Sequence, residues 1–225
     1  MGRVIEAVLF DKDGTLVDFG GTWNSAVGHA LGLVDDEVAR QQAADILGYN
    51  LSSGVVDPGS SFVTETLDET IDRLSRIIDA RQFANDMNQA AASSVEAADG
   101  ADKLLDDLKL RGVAMGVVTN DSQSSAEDQV NKLGWSEYFT VVIGYDSGHK
   151  PKPHGDAVAA AAKACGCSTS RAMMVGDSQH DITAAQRAGT TGVLISDNPS
   201  WATGYDYHIA SLSQLTGLPG IRLGG

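Results

Sequence analysis

Five short apolar runs rich in β-branched residues punctuate the chain, at residues 4–10, 113–119, 141–143, 173–175 and 193–195. Runs of this length, closed by Gly, Asp or Asn, fit buried strands of a parallel sheet. Helix-like stretches at 101–110, 122–133, 156–165 and 181–188 lie between the later runs. Strands alternating with helices predict an α/β domain with a doubly wound, Rossmann-like parallel sheet. The end, from 218 to 225, has little periodicity and is expected to be a surface tail.

From about residue 22 to 95 the alternation stops. This segment reads as amphipathic helices, one over 35–47 with acidic residues in its first turn, another over 63–78. In the second, Val63, Leu67, Ile71, Leu74 and Ile78 recur at helical spacing. A helical insertion after the first strand makes the core discontinuous: residues 1–18 and 97–225 form the core, and 19–96 the inserted domain. Gly20 and Gly21 mark the junction as either a simple turn or a hinge.

The polar residues that follow the strands carry the functional information. The first run leads into Asp11-Lys12-Asp13-Gly14-Thr15, the second into Thr119-Asn120, the third towards Lys150 and Lys152, the fourth into Gly176-Asp177. Ligands of open α/β sheets bind beyond the carboxyl ends of the strands, so four segments are expected to converge on one crevice. Two carboxylates on one tight loop suit a hard, oxygen-seeking cation such as magnesium. A calcium loop of the EF-hand kind fits less well, because it needs Gly at its sixth position and a helix in front. One carboxylate can attack while the other exchanges a proton, and a strand-end Thr with a Lys can neutralise a transferring phosphoryl group.

The ensemble resembles the haloacid dehalogenase superfamily. Its phosphatases carry D-x-D-G-T, a strand-end Thr or Ser, a Lys near K-P-x-P and G-D-S-x-x-D in that order. Here these read Asp11 to Thr15, Thr119, the lysine region, and Gly176-Asp177-Ser178-Gln179-His180-Asp181. The inserted helices resemble the α-helical cap of the phosphoglycolate phosphatase-like branch. The resemblance implies Asp11 as nucleophile, Asp13 as acid and base, and Thr119, Asn120 and Lys152 on the phosphoryl group. It also implies that Asp11, the Asp13 carbonyl and Asp177 bind Mg2+, with Asp181 behind them. Because Asp13 supplies an acid that halide-displacing members lack, the resemblance disfavours dehalogenation.

Lys150-Pro151-Lys152-Pro153 offers two lysines for one role. Helix register selects Lys152: counted from it, the inward-facing position falls on Val158 and the helix closes at Gly166. Counted from Lys150, that position falls on Asp156. The choice leaves Gly155 where the motif has its second Pro. Trp23, Asn24, Tyr49, Arg73 and Arg76 in the insertion are candidates to meet a leaving group, although both arginines also fit the exposed face of a helix.

A formal net charge of −14 opposes nucleic-acid binding, which draws its affinity from basic residues. An acidic enzyme acting on phosphate therefore needs a cation and a lysine to reverse the local field. The two cysteines, Cys165 and Cys167, have no zinc-site spacing around them. The apolar run at 4–10 is too short to span a membrane and lacks the features of a signal peptide, so a cytoplasmic protein is expected, with a small phosphate ester as its partner. A phosphosugar mutase of the same superfamily, a phospho-accepting signalling domain and an inactive binding protein on the same fold stand as alternatives. The last two fit less well: receiver domains are shorter and have no use for Asp13, and every expected catalytic position is filled.

Overall fold

The computed structural model describes residues 3–57, 59–64 and 66–224. The chain divides into two compact units, one running to Val17 and resuming at Ala97, the other Asp18–Glu96. The expected strand over residues 4–10 is two strands, β1 (Arg3–Ile5) and β2 (Ala7–Phe10). The apolar run is broken by Glu6, whose main chain bonds Arg171 and Ala114 and whose carboxylate pairs with the Arg171 guanidinium at the surface.

The helical unit opens with a π-helical turn, Gly20–Asn24, at the position expected to hold a turn or hinge. It continues through α1 (Ser25–Gly32), α2 (Glu37–Leu47), a short antiparallel pair β3 (Tyr49–Asn50) and β4 (Val55–Val56), then α3 (Ser61–Thr64), α4 (Leu67–Leu74) and α5 (Ala80–Ser94). The helix expected over 63–78 is thus two helices, because Thr66 caps a new one: its hydroxyl accepts from the Glu69 N–H and the Glu69 carboxylate accepts from the Thr66 N–H. Trp23, Val27, Leu31, Leu47, Leu74, Phe83 and Met87 form the buried centre of this unit. Trp23 is therefore a core residue, stacked edge-on against Phe62 at 5.6 Å. Asn24 accepts from the Val56 N–H, Arg73 donates to Ser61, and Arg76 is exposed.

The other unit continues with α6 (Ala101–Leu110), β5 (Ala114–Val118), α7 (Gln123–Lys132), β6 (Val141–Ile143), α8 (Asp156–Ala164), β7 (Ala172–Gly176), α9 (Gln179–Ala188), β8 (Thr191–Ile195), β9 (Tyr207–Ile209) and β10 (Ile221–Leu223). Six strands make one sheet in the order β6-β5-β2-β7-β8-β9, every pair parallel. The central strands β2 and β7 are wholly buried, which explains their unbroken apolar sequences. The residues expected to form a tail contribute β10, which pairs in parallel with β1 and buries Leu223. Among the described residues no helix is long and apolar enough to cross a membrane.

β2 lies between β5, reached in one direction, and β7, reached after the chain returns from β6. The winding reverses there, and such a switch point leaves a crevice at the carboxyl ends of the strands. Register fixes what lines it. Phe10 pairs with Val117 and Val175, so Asp11 emerges one row below Thr119 on one side and Asp177 on the other.

Candidate active site

Asp11 continues the β2 ladder, its N–H donating to the Val175 carbonyl at 2.8 Å. The Thr119 N–H likewise donates to Ile143 at 2.9 Å, and the Thr119 hydroxyl accepts from the Asp121 N–H at 3.1 Å. Gly14 turns the chain back after Asp13 at φ +80°. A Cβ there would meet the Asp177 carboxylate at 2.2 Å, so only glycine lets the loop pass so close to it.

The lysine that reaches Asp11 is Lys152. Its ammonium lies 2.5 Å from Asp11 Oδ1 and 2.6 Å from Asp181 Oδ1, with the side chain 4% exposed. Lys150 is exposed. Val158 faces inward at 0% exposure and Asp156 outward, as expected of a helix counted from Lys152. The lysine loop is pinned from three sides. Asn120 bonds the Lys152 main chain twice, accepting its N–H at 3.0 Å and donating to its carbonyl at 2.9 Å. Arg187 donates to the Pro153 carbonyl at 2.9 Å. Gly155 lets α9 approach so closely that a Cβ would stand 2.6 Å from the Ala188 nitrogen. This contact explains glycine in place of the motif's second proline. The side chain of Asn120, a residue expected at the phosphate, is bonded to the loop that presents the lysine.

Asp181 is the third residue of α9, and its Oδ2 accepts from the Ser178 N–H at 2.9 Å and hydroxyl at 2.5 Å. The Ser178 hydroxyl in turn caps the Asp181 N–H, so one capping box both starts the helix and aims Oδ1 at Lys152. A Cβ on Gly176 would collide with this carboxylate at 2.2 Å.

Asp11, Asp177 and Asp181 bring carboxylate oxygens within 4.8 Å of one another. Burial raises the Asp11 pKa most, Lys152 pulls it back, and the Asp181 and Asp13 carboxylates raise it again, to about 7. Burial, then repulsion from Asp11 and Asp181, carries Asp177 well above the usual carboxylate range against the pull of Lys152. Burial alone would lower the Lys152 pKa, but attraction from Asp11 and Asp181 outweighs it and holds the ammonium charged. Three carboxylates facing one ammonium are short of positive charge. An all-oxygen donor set with that deficit fits a hard divalent cation.

One buried group escapes the motif reading. Lys12 is 1% exposed, and its ammonium lies 2.8 and 2.7 Å from the two oxygens of Asp13, 2.7 Å from Gln129 Oε1 and 3.2 Å from Asp121 Oδ2. Standing between two site carboxylates, it reads in sequence as a spacer. The available signal was a lysine inside an otherwise apolar and acidic loop, where a charge needs a buried partner.

A family model described as haloacid dehalogenase-like hydrolase matches residues 8–195. A pyrophosphatase PpaX of Bacillus velezensis is 27% identical over 224 residues, 97% of this chain and 98% of that protein. A phosphoglycolate phosphatase of Xanthomonas campestris is 28% identical over 191 residues, 85% of this chain and 83% of that protein. Among solved structures, CbbY from Rhodobacter sphaeroides in complex with phosphate superposes with a TM-score of 0.73 at 21% identity, covering 96% of this chain and 99% of that one. L-2-haloacid dehalogenase from Xanthobacter autotrophicus gives 0.65 at 18%, covering 96% and 98%. At such identities the two superpositions establish the parallel-sheet fold alone.

Proposed function

The chain belongs to the haloacid dehalogenase-like hydrolases, and on that premise we propose that it is a magnesium-dependent phosphatase of small phosphate monoesters, working through an aspartyl-phosphate on Asp11. The observation that carries the reading is Asp11 itself, at the end of the central strand with its carboxylate 2.5 Å from a buried, charged lysine. A phosphatase rather than a dehalogenase is favoured by Asp13, two residues on, which is available to protonate an alkoxide leaving group. Relatives bearing the names pyrophosphatase and phosphoglycolate phosphatase support a small anionic substrate.

In this mechanism an Asp11 carboxylate oxygen attacks phosphorus and the bond from phosphorus to the ester oxygen breaks. The departing oxygen takes the proton of Asp13. Lys152 and Thr119 receive the charge spread over the phosphoryl oxygens, which a loose transition state makes the protein's main task. Water then attacks phosphorus, giving its proton to Asp13, and the bond to Asp11 breaks to release inorganic phosphate. Asp11, Asp177 and the Asp13 carbonyl would hold magnesium, with Asp181 behind them. When bound, the ion supplies Lewis-acid neutralisation of the phosphoryl oxygens. Asn120 serves the phosphate site by fixing the Lys152 loop. We assign catalysis to residues 1–18 and 97–225, and choice of leaving group to the helical segment 19–96. All the residues given chemical roles fall in the first of these, and a cap that excludes water would account for the second.

The test is phosphate release from a panel containing phosphoglycolate, phosphosugars and pyrophosphate, with magnesium and with chelator. The proposal expects magnesium-dependent release from at least one ester. A folded protein that releases phosphate from none, or that isomerises a phosphosugar without releasing phosphate, contradicts it.

A further inference from the structure

Lys12 is the second buried lysine of the site unit, and it takes no part in the scheme above. Taking an ammonium out of water is costly unless its partners are well placed, so an apolar side chain would fill that space more cheaply. The partners come from three segments: Asp13 from the loop after β2, Asp121 from the loop after β5, and Gln129 from the middle of α7. Gln129 is 0% exposed and Asp121 is almost as buried. Of the cluster, Asp13 is the member that reaches furthest towards solvent, its side chain 18% exposed. The arrangement is a buried post with one carboxylate at its outer end. Lys12 contacts both oxygens of that carboxylate, so it restrains rotation as well as position.

We propose that Lys12 is a positioning residue for Asp13: its ammonium, anchored by Gln129, holds in place the carboxyl group that gives its proton to the leaving oxygen and takes one back from water. The inference rests on the assignment of Asp13 as acid and base. It has a consequence that a purely structural lysine would not share. General acid catalysis matters most when the leaving group is a poor one, and a misplaced acid costs rate in the same pattern. Loosening Asp13 therefore slows cleavage of an alkyl ester far more than cleavage of an aryl ester whose leaving group departs unprotonated.

The experiment compares kcat/KM, which reports the steps through departure of the leaving group and leaves out the later attack of water, for a primary alkyl phosphate and for para-nitrophenyl phosphate, both with magnesium, in the parent protein and in Lys12→Met, Gln129→Met and Asp13→Asn. Lys12→Met is expected to lose roughly ten- to a hundredfold in kcat/KM on the alkyl ester and less than about threefold on the aryl ester. Gln129→Met, which keeps the ammonium and removes its anchor, shows the same selectivity to a smaller degree and decides the matter where Lys12→Met does not fold. Asp13→Asn shows the selectivity in its strongest form. Equal losses on both esters, or no loss, in the Lys12 and Gln129 variants while Asp13→Asn remains selective overturn the role of Lys12 alone. An Asp13→Asn variant without selectivity overturns the role of Asp13 and this inference with it.

Discussion

At the scale of single residues the site is a problem of charge placement. Lys152 faces two carboxylates that repel one another, and its removal leaves Asp11 and Asp181 buried without a counter-charge. Lys152→Met is therefore expected to lower kcat by roughly two to three orders of magnitude. It should also destabilise the fold by about 3–5 kcal/mol, the usual effect of breaking a buried ion pair from one side. Lys150→Met, at an exposed position, should leave both within experimental scatter; steady-state kinetics and urea unfolding of the pair check this. The acidic residues were legible in sequence because they stand at strand ends at fixed spacing. Lys152 was legible only through helix register, since Lys150 matches the literal motif better. Lys12 was legible only as a charge in an otherwise apolar and acidic loop; its anchor, Gln129, lies on a helix more than a hundred positions away.

At the scale of elements, what sequence conveys is the apolar pattern, and what it hides is long-range pairing. The long runs of β2, β5, β7 and β8 announce themselves, whereas β9 and β10 are three residues each and become strands through their neighbours. β9 exists because Asp206 accepts the Gly192 N–H at 2.8 Å and lays the following residues along β8. The start of α4 was hidden for a different reason: apolar spacing runs on past Thr66, and only the reciprocal bonds with Glu69 reveal a new helix. The contact between the lysine loop and α9 yields a prediction at this level. A Cβ at position 155 would press on the main chain of Arg187 and Ala188, which cannot rotate away as a side chain would. Gly155→Ala is expected to cost roughly 1–3 kcal/mol of stability and, by shifting the loop that carries Lys152, to lower kcat more than KM. Urea unfolding and steady-state kinetics test both, and a variant as stable and active as the parent contradicts the tight contact.

At the scale of the whole molecule, a chain of net charge −14 concentrates uncompensated carboxylates where it is expected to receive another anion. The consequence is a coupling of stability, pH and metal. With its pKa raised to about 7, Asp11 binds a proton in the folded state over a range in which the unfolded chain has released it. Asp177 shifts in the same direction. Where the folded state binds more protons, stability falls as pH rises, so chelator-treated protein should lose stability between about pH 4 and about pH 7, at no more than about 1.4 kcal/mol per pH unit for each group. Lys152, raised above its ordinary value, stays charged throughout that window and does not bend the curve. Added magnesium competes with the protons and should flatten the fall, a result that urea unfolding across the pH series with and without the ion would show. The catalytic mechanism, by contrast, rests on Asp11 being the group that receives the phosphoryl. Acid quenching during turnover, followed by peptide mapping, tests that claim most directly. A phosphorylated peptide carrying Asp11 is expected in the magnesium-loaded parent, and neither adduct nor turnover in Asp11→Asn; turnover without an adduct, persisting in Asp11→Asn, would rule out Asp11 as the acceptor.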